Sequence, residues 1–236
     1  MAIDKSLQIK SSPSGGGKKG AFAAIFDMDG TMVDNTPYHY QTWQALYKKY
    51  SIGDLTNETY KAEISGVPII DTMRSLFPDA DKETLRSRVR EKEKLYQEIY
   101  TPFIAPINGL ENLLADMKDG GVKLAMASSA TLDDIDFVLN HVKVRQYFDV
   151  IIDGNRVSKG KPNPQIFLKA ATDLHMRPED CIVFEDSIAG IKAGNAAGMK
   201  VIGITTAHAA NRLQPSSLTI KDYTELSLQK LEALMR

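Results

Sequence analysis

Residues 21–34 read AFAAIFDMDGTMVD, an apolar run that ends in aspartates. Asp27 and Asp29 are separated by one residue, and Asp34 follows shortly after them. Gly30 permits the chain to turn sharply at the end of the run. Carboxylates this close repel one another, and burying them is costly unless a cation or protons compensate. The stretch therefore predicts a buried strand whose end carries a charged site with a compensating partner.

The composition is typical of a globular protein without a charge bias. Of 236 residues, 43% are hydrophobic, and 29 Lys and Arg oppose 30 Asp and Glu, which gives a net charge of -1. The chain lacks the basic field that attracts nucleic acid or an anionic membrane, so we expect neither partner. No apolar run approaches the roughly 18 residues that span a bilayer, and the N-terminus lacks the apolar centre of a signal peptide. We expect a cytoplasmic location.

The single cysteine and the first residues each carry a simple expectation. Cys181 has no second cysteine to pair with and lies in the apolar run CIVF, which predicts a buried thiol in a reducing compartment. Residues 1–20 include a Ser-, Gly- and Lys-rich stretch with little to bury. We therefore expect a flexible N-terminal tail over residues 1–20.

Short apolar runs alternate with helical patterns along most of the chain. The five runs AFAAIF, VKLAMAS, DVIID, CIVFED and KVIGIT are predicted as strands. Near-continuous apolar strands that alternate with helices favour a parallel sheet covered on both faces. The predicted fold class is therefore α/β, with a Rossmann-like parallel sheet as its core. The carboxyl ends of such strands meet at one edge, where ligands bind.

One segment breaks this alternation, because residues 35–101 carry helical patterns and no convincing strand. Prolines follow soon after its start and lie at its end, and proline disfavours helix at the residue before it. We expect an inserted all-α cap domain at 35–101. The core domain would then consist of residues 21–34 and 102–236.

The longest predicted helix of this segment is the charged stretch KETLRSRVREKEKLYQEIY, residues 82–100. Its predicted apolar face comprises Leu85, Val89, Leu95 and Ile99. The charged side chains on this helix are expected to be solvated.

A second acidic pair, Glu185 and Asp186, ends another predicted strand. Together with Asp27 and Asp29, this pair would form an oxygen-rich site of the kind that Mg²⁺ prefers, with positions left open for a substrate phosphate. Two simpler interpretations remain open. One aspartate of the first pair caps its own turn, or the second pair caps the helix that begins near Ser187.

Between the two acidic pairs lie a serine pair and a lysine. Ser128 and Ser129 end the strand VKLAMAS, and Lys161 lies in the loop sequence GKPNP. A hydroxyl, backbone N–H groups and an ammonium are suited to the oxygens of a phosphoryl group. Taken singly, each residue is more often a turn residue or a solvated one.

In order along the chain, DMDGT, SS, KP and ED resemble the four motifs of the haloacid dehalogenase superfamily, and the resemblance covers Ala21 to about Thr206. The pattern is most similar to the β-phosphoglucomutase-like group of phosphatases and mutases. The resemblance implies that Asp27 is the nucleophile that forms an aspartyl-phosphate. It also implies that Asp29 is the general acid and base, and that Ser128 and Lys161 bind the phosphoryl group.

The same resemblance implies a metal cofactor and a class of partner. Mg²⁺ would be held by Asp27, the backbone carbonyl of Asp29, Asp186 and Glu185. The partner would be a small phosphorylated metabolite, for example a sugar phosphate, and family members of this size are commonly monomers.

The choice between hydrolase and mutase depends on the cap. His39 matches a histidine that assists the general acid in β-phosphoglucomutase, although an ordinary helical histidine remains an alternative. The mutase loop Gly-Val-Ser-Arg, whose arginine binds the distal phosphate, is replaced here by residues 66–69, GVPI. Gly66 of this loop and His39 are candidate substrate-binding residues. Thr31 also replaces a small apolar residue of the mutase. The candidates for the missing cation are Arg74, Lys92 and Lys94.

We therefore predict a Mg²⁺-dependent phosphohydrolase that acts through an aspartyl-phosphate, with a β-phosphoglucomutase-type mutase as the alternative. A dehalogenase would need neither Asp29 nor Mg²⁺. A non-catalytic binding module would be expected to lack one of the four motifs.

Overall fold

The computed structural model of the protein describes residues 22–65 and 67–236. Within them lies a sheet of six parallel strands in the order β3-β2-β1-β4-β5-β6. The strands are β1 Ala23–Phe26, β2 Lys123–Ala127, β3 Val150–Ile152, β4 Cys181–Glu185, β5 Lys200–Ile204 and β6 Leu218–Ile220. The predicted α/β class with a parallel sheet is confirmed. The predicted tail at 1–20 lies outside the described residues.

The last strand, β6, is absent from the sequence prediction. It has three residues, and of these only Ile220 is fully buried. An edge strand this short leaves too few apolar positions for a pattern, so only its pairing with β5 reveals it.

The sheet is buried on both faces, which explains its near-continuous apolar strands. Along β1, Ala24 and Phe26 belong to one apolar cluster and Ala23 and Ile25 to the other, as the period of two in a strand requires. The Phe26 ring stacks on that of Phe184 with centroids 4.3 Å apart. Burial of such side chains contributes about 1.5–3 kcal/mol each. This packing fixes the strand ends that carry the acidic pairs.

Helices cover both faces of the sheet. The helices of the core that follow the insert are α5 Leu110–Asp119, α6 Leu132–Val142, α7 Gln165–Asp173, α8 Ile188–Ala196 and α9 Leu228–Leu234. Short 3₁₀ segments occur at Thr101–Phe103, Arg145–Tyr147, Gly154–Arg156, Pro178–Asp180, Ala210–Arg212 and Tyr223–Glu225.

Between β1 and β2 the chain forms a helical insert, Thr36–Tyr100. It contains α1 Thr36–Lys49, α2 Asn57–Thr59, a π-helical segment Tyr60–Ile64, α3 Ile69–Leu76 and α4 Lys82–Tyr100. The insert has its own apolar cluster around Trp43, Leu46 and Met73. This cluster is consistent with the expected cap at 35–101, and the division into two domains stays a prediction.

The buried face of α4 differs from the predicted one. Leu85 is buried as expected, but Leu95 and Ile99 are only half-buried. Lys92, Tyr96 and Tyr100 are the other buried residues of this helix. The prediction considered aliphatic residues alone, whereas the buried face of the helix also includes one lysine and two tyrosines.

The single cysteine lies in the core of the protein. The Cys181 thiol is fully buried within β4, and burial raises its pKa to about 12, as expected for a structural cysteine.

Across residues 22–65 and 67–236, none of the helices has both the length and the apolar character needed to span a bilayer.

Candidate active site

Residues 27–31, here called the aspartate turn, follow β1 and form a tight structure. The Asp27 N–H donates to the Phe184 carbonyl over 3.0 Å, which continues the pairing of β1 with β4 beyond the strand end. Gly30 has a φ of +70°, and a Cβ atom there would lie 2.0 Å from Asp186 Oδ2. Only glycine therefore allows the turn to approach the second acidic pair this closely.

The structure brings three carboxylates together at the sheet edge. Oxygens of Asp27, Glu185 and Asp186 lie within 4.8 Å of one another, and all three residues are buried. Burial is the main cause that raises the pKa of Asp27 to about 8, opposed by Lys161 and assisted by Glu185 and Asp29. Burial also raises the pKa of Asp186, followed by the charges of Glu185 and Asp27. Ionisation of these buried carboxyl groups therefore costs free energy unless positive charge compensates.

Lys161 is the cation inside this cluster. Its Nζ donates to Asp27 Oδ1 over 2.6 Å and to Glu185 Oε1 over 2.5 Å. Burial alone would lower the pKa of Lys161, but the two carboxylates outweigh this effect and the pKa is raised. Lys161 is therefore charged, and it compensates part of the negative charge.

A divalent metal ion would compensate the negative charge that Lys161 leaves unpaired. Three buried carboxylates face one ammonium, so the site is short of positive charge, and its donors are all oxygen. Hard cations such as Mg²⁺ prefer such oxygen ligands. The cluster is therefore chemically suited to a metal ion.

The suggestion that Glu185 or Asp186 caps the following helix is wrong. The N-cap of α8 is Ser187, whose side chain accepts from the Gly190 N–H over 3.0 Å. Glu185 Oε2 instead accepts from both the Ser187 N–H and its hydroxyl, each over 2.9 Å. A Cβ atom at Gly190 would lie 1.8 Å from Glu185 Oε1, so α8 packs directly against this carboxylate.

The predicted phosphate-binding serines lie at the same edge, after β2. Ser128 is buried, and its Oγ accepts from the Ala130 N–H over 3.1 Å, which leaves the hydroxyl proton available to an anion. Ser129 is exposed. Both residues line the crevice that contains Asp27 and Lys161.

Asp29 is held by a residue that the sequence analysis did not identify, Asn35. The Asn35 Nδ2 donates to Asp29 Oδ1 over 2.5 Å and to the Tyr96 hydroxyl over 2.7 Å, while its Oδ1 accepts from the Gly30 N–H over 3.1 Å. Burial raises the pKa of Asp29, and the hydrogen bond from Asn35 opposes this. Asp34, by contrast, is exposed, as expected for a turn residue.

His39 lies beside this network. Its ring stacks on Tyr96 with centroids 4.1 Å apart, and its Nδ1 lies 3.3 Å from Lys92 Nζ. Burial, and then the charge of Lys92, lowers the pKa of His39 well below its usual value, so the ring is neutral. Because an ammonium can only donate, Nδ1 is the acceptor and Nε2 carries the proton.

All of these groups open into one crevice of about 550 Å³ between the helical insert and the sheet edge. The insert contributes apolar residues such as Trp43, Tyr60 and Ile69 to its wall. Gly66, predicted as a binding residue, lies outside the described residues. Of the three candidates for a distal cation, Lys92 lines the crevice, whereas Arg74 and Lys94 are exposed.

Sequence signals for the missed residues were weak. Asn35 lies one residue after Asp34 at a predicted joint, where an asparagine ordinarily indicates a turn. Tyr96 lies four residues after Lys92 on a strongly charged helix, and this spacing indicates only a shared face. Neither signal points to a site without the fold.

Comparisons with known proteins agree with this geometry. Residues 24–204 match the family model of haloacid dehalogenase-like hydrolases. A phosphorylated carbohydrates phosphatase from Thermotoga maritima is 31% identical over 184 residues, which cover 76% of this chain and 83% of the relative. A β-phosphoglucomutase from Bacillus subtilis is 29% identical over 218 residues, 89% of this chain and 93% of the relative.

A solved structure gives the same result for the fold. The crystal structure of a family IA haloacid dehalogenase hydrolase from Entamoeba histolytica superposes with a TM-score of 0.83 at 27% identity, and it covers 91% of this chain and 99% of that one. The match to the family model spans well over half of the chain, and the parallel sheet carries the acidic cluster at its carboxyl edge. This chain belongs to the haloacid dehalogenase-like hydrolase family.

Proposed function

We propose that this protein is a Mg²⁺-dependent phosphohydrolase of a small phosphorylated metabolite, and that Asp27 is its nucleophile. One observation carries the proposal. The Asp27 carboxylate is paired with Lys161 at the floor of an open crevice, while Asp29, on the same turn, is bound to a separate network through Asn35. Two neighbouring carboxylates in different environments suit two different roles.

In the first step, an Asp27 oxygen attacks phosphorus, and the bond between phosphorus and the ester oxygen breaks. Asp29 gives its proton to the leaving alkoxide, which departs as an alcohol. The raised pKa of Asp29 suits a group that must hold a proton until this moment. Lys161 and the Ser128 hydroxyl bind the phosphoryl oxygens and stabilise their charge.

In the second step, Asp29, now a carboxylate, takes a proton from water while the water oxygen attacks phosphorus. The bond between Asp27 and phosphorus breaks, inorganic phosphate leaves, and Asp29 is again protonated. Asn35 keeps the Asp29 carboxyl oriented in both steps, because its amide is fixed by Gly30 and Tyr96.

Asp27, Glu185, Asp186 and the backbone carbonyl of Asp29 would hold the metal ion. When bound, Mg²⁺ supplies positive charge to the phosphoryl oxygens and relieves the repulsion among the carboxylates. His39 assists Asp29 indirectly, as a neutral neighbour of Asn35. Its Nδ1 accepts from Lys92, and its Nε2 lies 3.4 Å from Asn35 Nδ2, the nitrogen that donates to Asp29.

The residues that line the crevice favour hydrolysis over the mutase alternative. A mutase must bind a second phosphate group, which requires a cation at the end of the substrate that lies far from the nucleophile. Among the described residues that line the crevice, Lys92 is the cation contributed by the insert, and it already contacts Glu93 at 3.2 Å and His39. A monophosphate with an uncharged distal end, such as a sugar phosphate, is therefore the substrate class we propose. It also agrees with the name of the Thermotoga relative.

The test is phosphate release from a panel of sugar phosphates in the presence of Mg²⁺. We expect Asp27→Asn to lower turnover at least about a thousandfold, because a carboxamide cannot replace the nucleophile. Asp34→Asn, which changes an exposed aspartate of the same stretch, is the matched control and should retain turnover. Near-normal turnover of Asp27→Asn would exclude the covalent mechanism.

A coupled assay of glucose 6-phosphate formation from β-glucose 1-phosphate, run beside the panel, separates the two activities. Isomerisation that exceeds phosphate release would reject the hydrolase in favour of the mutase.

A further inference from the structure

The loop after β5 forms hydrogen bonds with the aspartate turn and with the last strand, β6. The Thr205 N–H donates to the Ile220 carbonyl over 3.0 Å, and the Thr206 hydroxyl donates to the Gly30 carbonyl over 2.5 Å. Two successive residues are thus bound to two different elements. The residues that follow them, including His208, begin from a fixed point beside the reaction centre.

His208 lines the crevice on the side of the sheet, and Ser65 and Val67 line it from the helical insert. The histidine is half-buried. Burial lowers its pKa, and the charges of Arg212 and of Lys61 on the insert lower it further. The ring is therefore neutral near pH 7, and a neutral imidazole offers one hydrogen-bond donor and one acceptor.

The neutral ring carries no charge of its own with which to hold a second phosphate. Its donor and acceptor match a hydroxyl group, which is also both donor and acceptor. The phosphoryl group itself is assigned to Lys161 and Ser128, so a group that reaches His208 belongs to the non-reacting part of the substrate. His208 has no part in the two chemical steps described above.

We propose that His208 is a specificity-determining residue, which forms a hydrogen bond with a hydroxyl of the sugar portion of the substrate. The inference rests on the proposed phosphohydrolase function, and it adds a substrate contact supplied by the sheet side of the crevice. The contact distinguishes a sugar phosphate from a phosphorylated compound too short to reach the loop.

The experiment compares two kinds of phosphate donor. Values of kcat/KM are measured for fructose 1-phosphate, glucose 6-phosphate and β-glucose 1-phosphate, and for acetyl phosphate, which has no hydroxyl. For the hexose phosphate that is hydrolysed fastest, His208→Ala should lower the ratio of its kcat/KM to that of acetyl phosphate about three- to tenfold, the range of one hydrogen bond between neutral groups. The change should lie mainly in KM.

Two further variants complete the test. His208→Gln keeps a donor and an acceptor, so it should recover much of the lost ratio. His141→Ala changes an exposed histidine on α6 and should leave the ratio unchanged.

Two results would overturn the inference: an unchanged ratio in His208→Ala, which includes an equal loss for both kinds of donor, or no recovery in His208→Gln. Absence of hydrolysis for all three hexose phosphates would also reject it. The proposed function would survive that last result if acetyl phosphate were still hydrolysed and the activity were lost in Asp27→Asn.

Discussion

The side chain of Asn35 joins Asp29 to Tyr96. One amide nitrogen donates to the carboxylate over 2.5 Å and to the phenol over 2.7 Å, and the amide oxygen accepts from the Gly30 N–H. The proposed general acid is therefore attached both to its own turn and to α4 of the helical insert. A residue at the joint between sheet and insert thus determines where the Asp29 carboxyl points.

Replacement of Asn35 should damage catalysis more than folding. We expect Asn35→Ala to lower kcat about ten- to a hundredfold, because a misplaced proton donor costs rate even when it is present. Lost buried hydrogen bonds should lower the free energy of unfolding by about 1–3 kcal/mol. Steady-state kinetics and urea unfolding measure the two effects. Asn195→Ala removes an exposed amide that donates to the Pro215 carbonyl and is the matched control. Equal kcat values for the two variants would contradict the role of Asn35.

Gly30 and Gly121 provide a paired test of the close approach to Asp186. Both have a positive φ, +70° and +77°, so alanine at either position carries backbone strain of roughly 1–2 kcal/mol. A Cβ atom at Gly30 would collide with the Asp186 carboxylate, whereas nothing lies within 4 Å of one at Gly121. We expect Gly30→Ala to lose more stability than Gly121→Ala in thermal unfolding, because the collision adds to the shared backbone strain, and only Gly30→Ala to lose phosphate release. Full activity in Gly30→Ala would show that Asp186 need not stay where it is.

Added Mg²⁺ should stabilise the folded protein. The three carboxylates face a single ammonium, that of Lys161, and an ion that binds only the folded state adds about 2.7 kcal/mol at a hundred times its dissociation constant. We expect the midpoint of thermal unfolding to rise by several degrees after Mg²⁺ is added to metal-free protein. Asp186→Asn should abolish the rise, and Asp79→Asn, at an exposed position, should keep it. A rise of equal size in Asp186→Asn would place the ion elsewhere.

The lowered pKa of His39 has a consequence for stability at acidic pH. Below about pH 6.5 the unfolded chain binds a proton at this residue and the folded protein does not, so stability falls as the pH falls. The expected loss approaches about 1.4 kcal/mol for each pH unit below that value. The raised pKa values of Asp27, Asp29 and Asp186 act in the opposite direction, because there the folded protein binds the extra protons.

The His39 contribution is isolated by comparison with His39→Gln, since the aspartates are present in both proteins. Free energies of unfolding in urea, measured without metal at pH 7.5 and pH 5.5, give the loss for each protein. The loss should be about 1 kcal/mol smaller in His39→Gln. The same pH dependence in both proteins would mean that the pKa of His39 is not lowered in the folded state.

The sequence was most informative where one physical signal dominated. Asp27 and Asp29 stand out because carboxylates rarely follow a buried strand without a reason. Five strands are visible because they are continuously apolar, as burial on both faces requires for β1, β2 and β4. The same signals failed at β6, which is too short to carry a pattern. They also failed on α4, where charge suggested exposure and Lys92 is instead buried beside His39.

By itself, the sequence determined the parallel α/β sheet, the helical insert between its first two strands, and the kinds of groups that follow the strands. These depend on local periodicity and on residue chemistry, which a linear pattern contains. Only the tertiary structure brought Asp27, Lys161 and Glu185 into contact, joined Asn35 to Tyr96 and set His208 at the crevice. Such contacts link residues far apart in the chain, and they depend on how the strands are ordered and how the insert packs against the sheet.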